Sequence, residues 1–519
     1  MCGLLRGHDA PASGTSLRQL MGRRSSLAGV MDHGSVFMRR DRIVVVEAAS
    51  PLGKDLVDAF AASIRGRVVK PGDPEYDEAR IVRNGLIDRR PALIVQCHGT
   101  ADVVDSVNFA RDRGLVLSVR GGGHNVAGNA VNDGGMVIDL SLMRSVAVDP
   151  ELRRARVQGG ATWGDVDRET QLWGLAVPGG QVSTTGVGGL SLHGGMGVLH
   201  RTYGLTVDSL VAVEIVTADG RVRTASATED PDLFWAIRGA GSNFGVVTWF
   251  EFALHPVGPE IYQAVPLFSL DDAPDVLRQY RSFGASAPDA INPQAIFWNV
   301  PPIEDFPEEL HGTPILVVQV LYAGDPDEGE RLLRPVLDWA TPIVDLGGRA
   351  PYTLAQSSFD PFFPVGGLYY WKSLLLKEAS DEALDAIVDA ARERPAPQAM
   401  INLWQLGGAV SRIAPDATAY VHRQAPYLLS FDTSWVDPAD TERCIAWTRQ
   451  TWSRMHDRFG LGGAYLNFAG FGEEKDALVR ASYGGNFERL VAIKTKYDPA
   501  NLFRMNNNIR PLNRATTTD

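Results

Sequence analysis

Ser118-Val119-Arg120-Gly121-Gly122-Gly123-His124-Asn125-Val126-Ala127-Gly128 is the stretch on which the reading of this chain turns. The apolar run Leu115-Val116-Leu117 ahead of it reads as the end of a buried strand, and Gly128 follows His124 four residues on. Consecutive glycines let the backbone take positive φ and approach a ligand with no Cβ in the way. Successive N–H groups in such a turn converge on an anion, as phosphate-binding nests do. The histidine is then held on a rigid turn beside whatever binds there. The stretch is a candidate cofactor loop.

At 519 residues the chain is long enough for about two to four domains. Its 45% hydrophobic and 22% charged residues are ordinary for a globular protein. A net charge of −12 repels phosphate backbones, so nucleic acid is not an expected partner. The three cysteines, Cys2, Cys97 and Cys444, have neither metal-ligand spacing nor a disulfide framework, and no metal is expected. Cys97, at the end of an apolar run, reads as core. No stretch approaches the about 18 apolar residues of a membrane span, so no membrane partner is expected. Residues 1–50 are rich in Arg, Ser and Gly and lack periodicity, which reads as a disordered extension. Within them Arg23-Arg24-Ser25-Ser26-Leu27-Ala28-Gly29 is faintly like a twin-arginine export signal, but Asp32 and His33 spoil the apolar region behind it. The protein is therefore expected in the cytoplasm, with twin-arginine export as the alternative.

Pro91 to Gln96 reads as a strand, Asp102 as the cap of a helix carrying Val103, Val104, Val107 and Ala110, and 115–119 as the strand that opens into the glycine loop. That order puts a ligand at the carboxyl end of a strand, without the glycine spacing of a dinucleotide-binding Rossmann unit. Short strands at 136–140, 146–148 and 155–157 and a helix from Trp163 to Trp173 precede a second glycine-rich run, Thr185 to Gly197. Alone, that run is equally a device for close helix–strand packing. Two such stretches together point to a long, extended ligand. Asp219-Gly220 marks a hairpin between 210–217 and 221–225, and Pro231 starts a helix to Ile237. A strand from Val246 to Phe252 then leads to a domain boundary near Pro256. Beyond 258 glycine thins. Half-apolar strands such as 314–321, 398–405 and 427–435 alternate with helices such as 326–340, 378–393 and 437–457, the pattern of an antiparallel sheet covered on one side by helices. Ala464 to Phe468 reads as one more strand.

Several separated motifs now agree. Arg120 to His124, Thr185 to Gly197, Arg201-Thr202-Tyr203-Gly204-Leu205-Thr206-Val207-Asp208 and Asp232-Leu233-Phe234-Trp235 are joined by Asn243-Phe244-Gly245, Tyr465-Leu466-Asn467-Phe468 and Tyr497-Asp498-Pro499 through Asn508-Ile509. With them the chain resembles the FAD-linked oxidases of the vanillyl-alcohol oxidase type, berberine-bridge-enzyme-like branch, from about 70 to 510. The resemblance implies an α+β fold. A two-subdomain FAD-binding domain of the PCMH type would span 51–257, and a substrate domain with an antiparallel β-sheet covered by helices 258–460. A C-terminal segment, 461–512, would return to the FAD domain. The resemblance also implies FAD held by Arg120, Gly121, Gly122, Gly123, Asn125, Gly128, Thr185, Gly186, Gly189, Gly195, Asn467, Asn506 and Asn508. His124 would be bonded to the flavin 8α-methyl carbon; the alternative is a histidine that only hydrogen-bonds the ribityl chain or caps the loop. Relatives that attach the flavin twice carry a cysteine where this chain has Val182, so the attachment reads as monocovalent.

Tyr465 matches the family's active-site tyrosine, with Asn467 two residues on and on the same side of a strand. The alternative is a buried tyrosine that anchors the C-terminal segment. A phenol has an ordinary pKa near about 10, so general-base work requires its surroundings to lower it. The Glu or Gln base of plant relatives falls at Ser430, which is no base unaided. Alternation offers Asn402 with Trp404, Tyr420 with His422, and Tyr369 or Tyr370 with Trp371 as pocket candidates. The implied activity is hydride transfer to FAD from a C–H next to a hydroxyl or amine of a small organic substrate: a sugar, a secondary-metabolite alcohol or an amine. Molecular oxygen would be the second partner, reduced to hydrogen peroxide. A dehydrogenase with another acceptor, or a flavin-binding protein without turnover, is the alternative.

Overall fold

The computed structural model describes residues 52–304, 306–472 and 475–512, so the extension and its export-like motif lie outside the described residues. Leu93-Ile94-Val95 and Met136-Val137-Ile138 are unbroken apolar runs, as strands buried on both faces require. They form neighbouring parallel strands, Leu93–Gln96 and Met136–Asp139, with Leu117–Arg120 parallel on one side and Arg67–Val69 antiparallel at the other edge. The helix Thr100–Asp112 crosses from Leu93–Gln96 to Leu117–Arg120, which ends at the glycine loop. Its N-cap is Gly99 and not Asp102, a correction to the sequence reading. Asp102 lies in the first turn, where its carboxylate accepts the backbone N–H groups of Arg65, Gly66 and His98 at 2.9, 3.0 and 2.8 Å. The acid ties the preceding chain to the positive end of the helix dipole.

A second, antiparallel sheet runs in the spatial order Val146–Asp149, Arg154–Gln158, Gly245–Ala253, Leu210–Thr217, Val222–Ser226. Phe250 and Phe252 from its central strand pack with Trp163, Val187, Phe234 and Trp235. The late helix Phe487–Tyr497 adds Leu490, Val491, Ile493 and Tyr497 to the same core. That helix also brings a wholly buried lysine. Lys494 Nζ donates to Asn243 O at 2.7 Å, Asp498 Oδ2 at 2.7 Å and Phe503 O at 2.9 Å. The Asp498 carboxylate in turn accepts the N–H groups of Leu502 and Phe503, both at 2.8 Å. An ammonium has three donors, and burial is tolerated here because all three are used.

The third sheet is nine-stranded and antiparallel, drawn from residues 260–435. Side chains alternate between the faces of a strand. Phe297, Leu316, Val318, Ile401, Leu403, Leu429 and Phe431 take one face, under the helices Ala273–Ser286, Asp381–Arg392 and Thr441–Phe459. The intervening residues Gln294, Asn402, Trp404, Asp432 and Trp371 take the other and line a cavity. The segment 464–468 is not the strand its pattern suggests. It is a 3₁₀ turn, Leu466–Phe468, that begins at Tyr465. The reason is local: Ser373 Oγ accepts from Tyr465 N and donates to Tyr465 O, each at 3.2 Å, and Phe468 N bonds the same carbonyl at 2.9 Å.

Replacing Lys494 by Met should strand the Asp498 charge and the Asn243 carbonyl in the core, while Phe503 O keeps the Asn506 amide as donor. Removing one partner of a buried pair costs about 3–5 kcal/mol, to be read as a lowered midpoint in chemical denaturation.

Candidate active site

The two glycine-rich stretches meet. A Cβ on Gly122 would lie 2.4 Å from Gly186 N, and one on Gly186 2.3 Å from Gly122 N, so neither position has room for a side chain. Gly123 adds a φ of +66°, in the left-handed region that favours glycine. The helix Val187–Leu192 starts beside this contact, and a Cβ on its Gly189 would meet nothing within 4 Å. The result is a wall of bare backbone on one side of a cleft. The opposite wall is the polar face of the nine-stranded sheet.

Of the residues expected to hold a cofactor, Gly121, Gly122, Gly123, His124, Asn125, Thr185, Gly186, Gly189, Asn467 and Asn506 line this cleft, as does Tyr465. Arg120, Gly128, Gly195 and Asn508 do not. The Arg120 guanidinium is held by Asp139, 3.1 Å from Nε to Oδ1, and by the carbonyls of Ala79 and Ile81. Gly128 packs on Ile87 and Gly195 on Thr206. Among the pocket candidates, Asn402, Trp404 and Trp371 line the cleft, whereas Tyr369, Tyr370, Tyr420 and His422 do not. Tyr420 backs Tyr465 edge-on, with ring centroids 6.5 Å apart.

Sequence reasoning missed Gln181, His193, Gln294, Asn507 and above all Asp432, which all line the cleft. Asp432 stands two residues beyond Ser430 on the same face of Tyr427–Trp435, paired across to Trp371 and Met400. A signal was present. It is the one acid in a nine-residue strand that is buried throughout, and a buried carboxylate is costly unless it is used.

Three titratable groups of the cleft are shifted by their surroundings. Burial pushes the Asp432 carboxyl up to about 7, against the opposing pull of Ser430 and Asn402. Burial likewise pushes the Tyr465 phenol up to about 12, although Asn467 and the backbone of Met196 and Gly195 act to lower it. Asn467 Nδ2 donates to the phenol oxygen at 2.9 Å, because the 3₁₀ turn folds it back over Tyr465. The half-buried His124 is driven down to about 3 by burial and by the nearby Arg83 charge, so its ring is neutral. Its Nε2 lies 3.1 Å from Thr184 Oγ1, which also accepts from Arg83 at 2.7 Å.

Family models for an FAD binding domain and for berberine and berberine-like proteins match residues 91–226 and 464–510. Over 473 residues the chain is 33% identical to (R)-6-hydroxynicotine oxidase of Paenarthrobacter nicotinovorans, an alignment covering 87% of this chain and 98% of that protein. The chain belongs to the berberine-bridge-enzyme-like FAD-linked oxidoreductases. Within this family it is also 28% identical over 500 residues to a chitooligosaccharide oxidase of Gibberella zeae, covering 90% and 97% of the two chains. The crystal structure of 6-hydroxy-D-nicotine oxidase from Arthrobacter nicotinovorans matches 87% of this chain and 99% of its own, with a TM-score of 0.77 at 29% identity. This berberine-bridge-like chain is an enzyme, an FAD-dependent oxidoreductase.

Its cleft fits that cofactor on its own geometry. The backbone of Gly121–Gly123 offers N–H groups with no Cβ before them, and Gly189 leaves a helix face bare toward the cleft. The buried Asn506 Oδ1 has no hydrogen-bond partner among the described residues. Gly189→Leu tests this directly. The new side chain meets no protein atom at its Cβ but enters the cofactor's space, so flavin per polypeptide, read from the visible-to-ultraviolet absorbance ratio, should fall while circular dichroism is unchanged.

Proposed function

We propose that the enzyme is an oxidase that takes hydride from a C–H next to a hydroxyl or amine of a small, ring-bearing organic substrate, with Asp432 as general base and oxygen as final acceptor. The observation that carries this reading is Asp432 itself: a lone buried carboxyl on the cleft wall whose pKa is moved to about 7. A base is most effective when its pKa lies near the working pH. Bound FAD supplies the two-electron acceptor for the hydride and hands the electrons on.

The remaining roles follow from the side chains. Tyr465, moved up to about 12, keeps its proton at neutral pH and donates it in a hydrogen bond to the substrate oxygen or nitrogen. Asn467 holds the phenol from the other side. Trp371, Trp404, Phe363 and Phe468 line the cleft and keep water from the reacting atoms, and their flat faces favour a substrate ring. His124 is neutral, with a ring nitrogen free to attack carbon, which supports flavin attachment at this one residue. Val182 in place of a second cysteine supports the same monocovalent reading.

The rate of flavin reduction by substrate, followed anaerobically by stopped flow, should rise with pH through a midpoint near 7, because only ionised Asp432 accepts the proton. Asp432→Asn should slow it by about 10²–10⁴-fold and abolish that limb. An unchanged profile would remove Asp432 from the mechanism. Air admitted to the reduced enzyme should yield hydrogen peroxide.

Acid-precipitated protein should stay yellow, and His124→Ala should release its flavin. Release from the unsubstituted protein would exclude the covalent bond.

A further inference from the structure

Four side chains from four separate elements form one directed hydrogen-bonded line across the cleft. Gln181, in the loop that leads to Thr185 and Gly186, donates Nε2 to Gln294 Oε1 at 2.7 Å. Gln294, on the strand Ile291–Asn299, donates Nε2 to Asn402 Oδ1 at 3.0 Å. Asn402, on Met400–Gln405, donates Nδ2 to Asp432 Oδ2 at 2.7 Å. Gln294, Asn402 and Asp432 are 4%, 4% and 7% exposed, so water does not compete freely for these bonds.

The direction of the line is forced by its end. An ionised carboxylate only accepts, so Asn402 must turn its NH₂ toward Asp432. Its carbonyl then faces Gln294 and needs a donor there. The same step repeats at Gln294, whose carbonyl needs the NH₂ of Gln181. Each amide therefore fixes the orientation of the next. Without the Gln294 donor, Asn402 is as well placed with its carbonyl toward Asp432, an arrangement that repels the carboxylate and favours the protonated acid.

We propose that Gln181 and Gln294 are positioning residues that act on Asp432 through Asn402, holding the amide sense that keeps its carboxylate ready to take a proton. The proposal rests on the reading of Asp432 as base. It also gives the cofactor loop a hold on the base, since Gln181 sits on the chain that presents Thr185 and Gly186.

Around Asp432 the Asn402 amide shares its influence with Ser430 and with no charged side chain. Ser430 and Ser434 stand on its own face of the strand; Tyr369 and Trp371 face it from Leu368–Leu376, and Met400 and Asn402 from Met400–Gln405. Tyr465 and Phe468 enter from the 3₁₀ turn, and His124 and His193 line the glycine-loop end of the cleft. Lys372 lies on the opposite face, 3.7 Å over the Trp452 ring, and the Asp360 carboxylate is taken by Ser183 N and Oγ. The influences on the Asp432 carboxyl are burial, Ser430 and Asn402, with no charged side chain among them.

The test uses the FAD-loaded enzyme with Gln294→Leu, Gln181→Leu and Asp432→Asn. Two titrations are followed: the rate of flavin reduction, and the infrared carboxylic C=O band that disappears in Asp432→Asn. In Gln294→Leu both midpoints should move up by about one pH unit, roughly tenfold in the ionisation constant, with the rate recovering at high pH. Gln181→Leu should move them the same way by less. A band midpoint that stays put while the rate falls equally at all pH would overturn the relay and leave Gln294 a packing residue. A band that moves while the rate profile does not would uphold the relay and sink Asp432 as base.

Discussion

The site depends on how closely two backbones can approach. Gly122 and Gly186 touch peptide to peptide, and a Cβ on either would collide with a nitrogen that has no rotamer to escape into. Glycine at these two positions is therefore a steric requirement. The contact places the end of the first sheet against the start of the helix Val187–Leu192, and it brings Thr184 to His124 and Arg83. The glycine-lined wall of the cleft follows from that one approach.

A single cause then shifts three titratable groups of the cleft. Burial disfavours charge, so it raises an acid and a phenol and lowers an imidazole. Asp432, Tyr465 and His124 all experience it, and all are pushed toward their neutral forms. Because their ordinary values differ, the same push has different results: the histidine is neutral, the tyrosine keeps its proton, and the aspartate changes charge near neutrality. The three groups stand apart from any cluster of potential metal ligands, none of which occurs among the described residues.

What was legible in the sequence was what is local. The glycine runs, the Asp219-Gly220 hairpin and the half-apolar strands announce themselves within a few residues, and a chain of separated motifs named the family. What was not legible depends on partners far away. The grip of Asp139 and of the carbonyls of Ala79 and Ile81 on the Arg120 guanidinium could not be read from the glycine motif around it. Ala464–Phe468 alternates like a strand, but Ser373 takes the main-chain N–H and carbonyl of Tyr465, and the segment turns instead. Alignment stopped at Ser430, while the acid sits one pleat further along the same face. Only register separates the two readings, and register is set by neighbouring strands.

The buried knot at Lys494 bears on the order of assembly. It fastens the C-terminal segment to Asn243 and Phe503, and that segment carries Asn506 and Asn507 into the cleft wall. Tyr465 reaches the same wall from a turn pinned to Ser373. A ribosome makes these parts hundreds of residues after the glycine loop they face. The nascent chain therefore holds half a binding site for most of its synthesis. The cleft is complete only when these late segments join the glycine loop, and the helix Phe487–Tyr497 holds them there from behind, packed on the core of the second sheet.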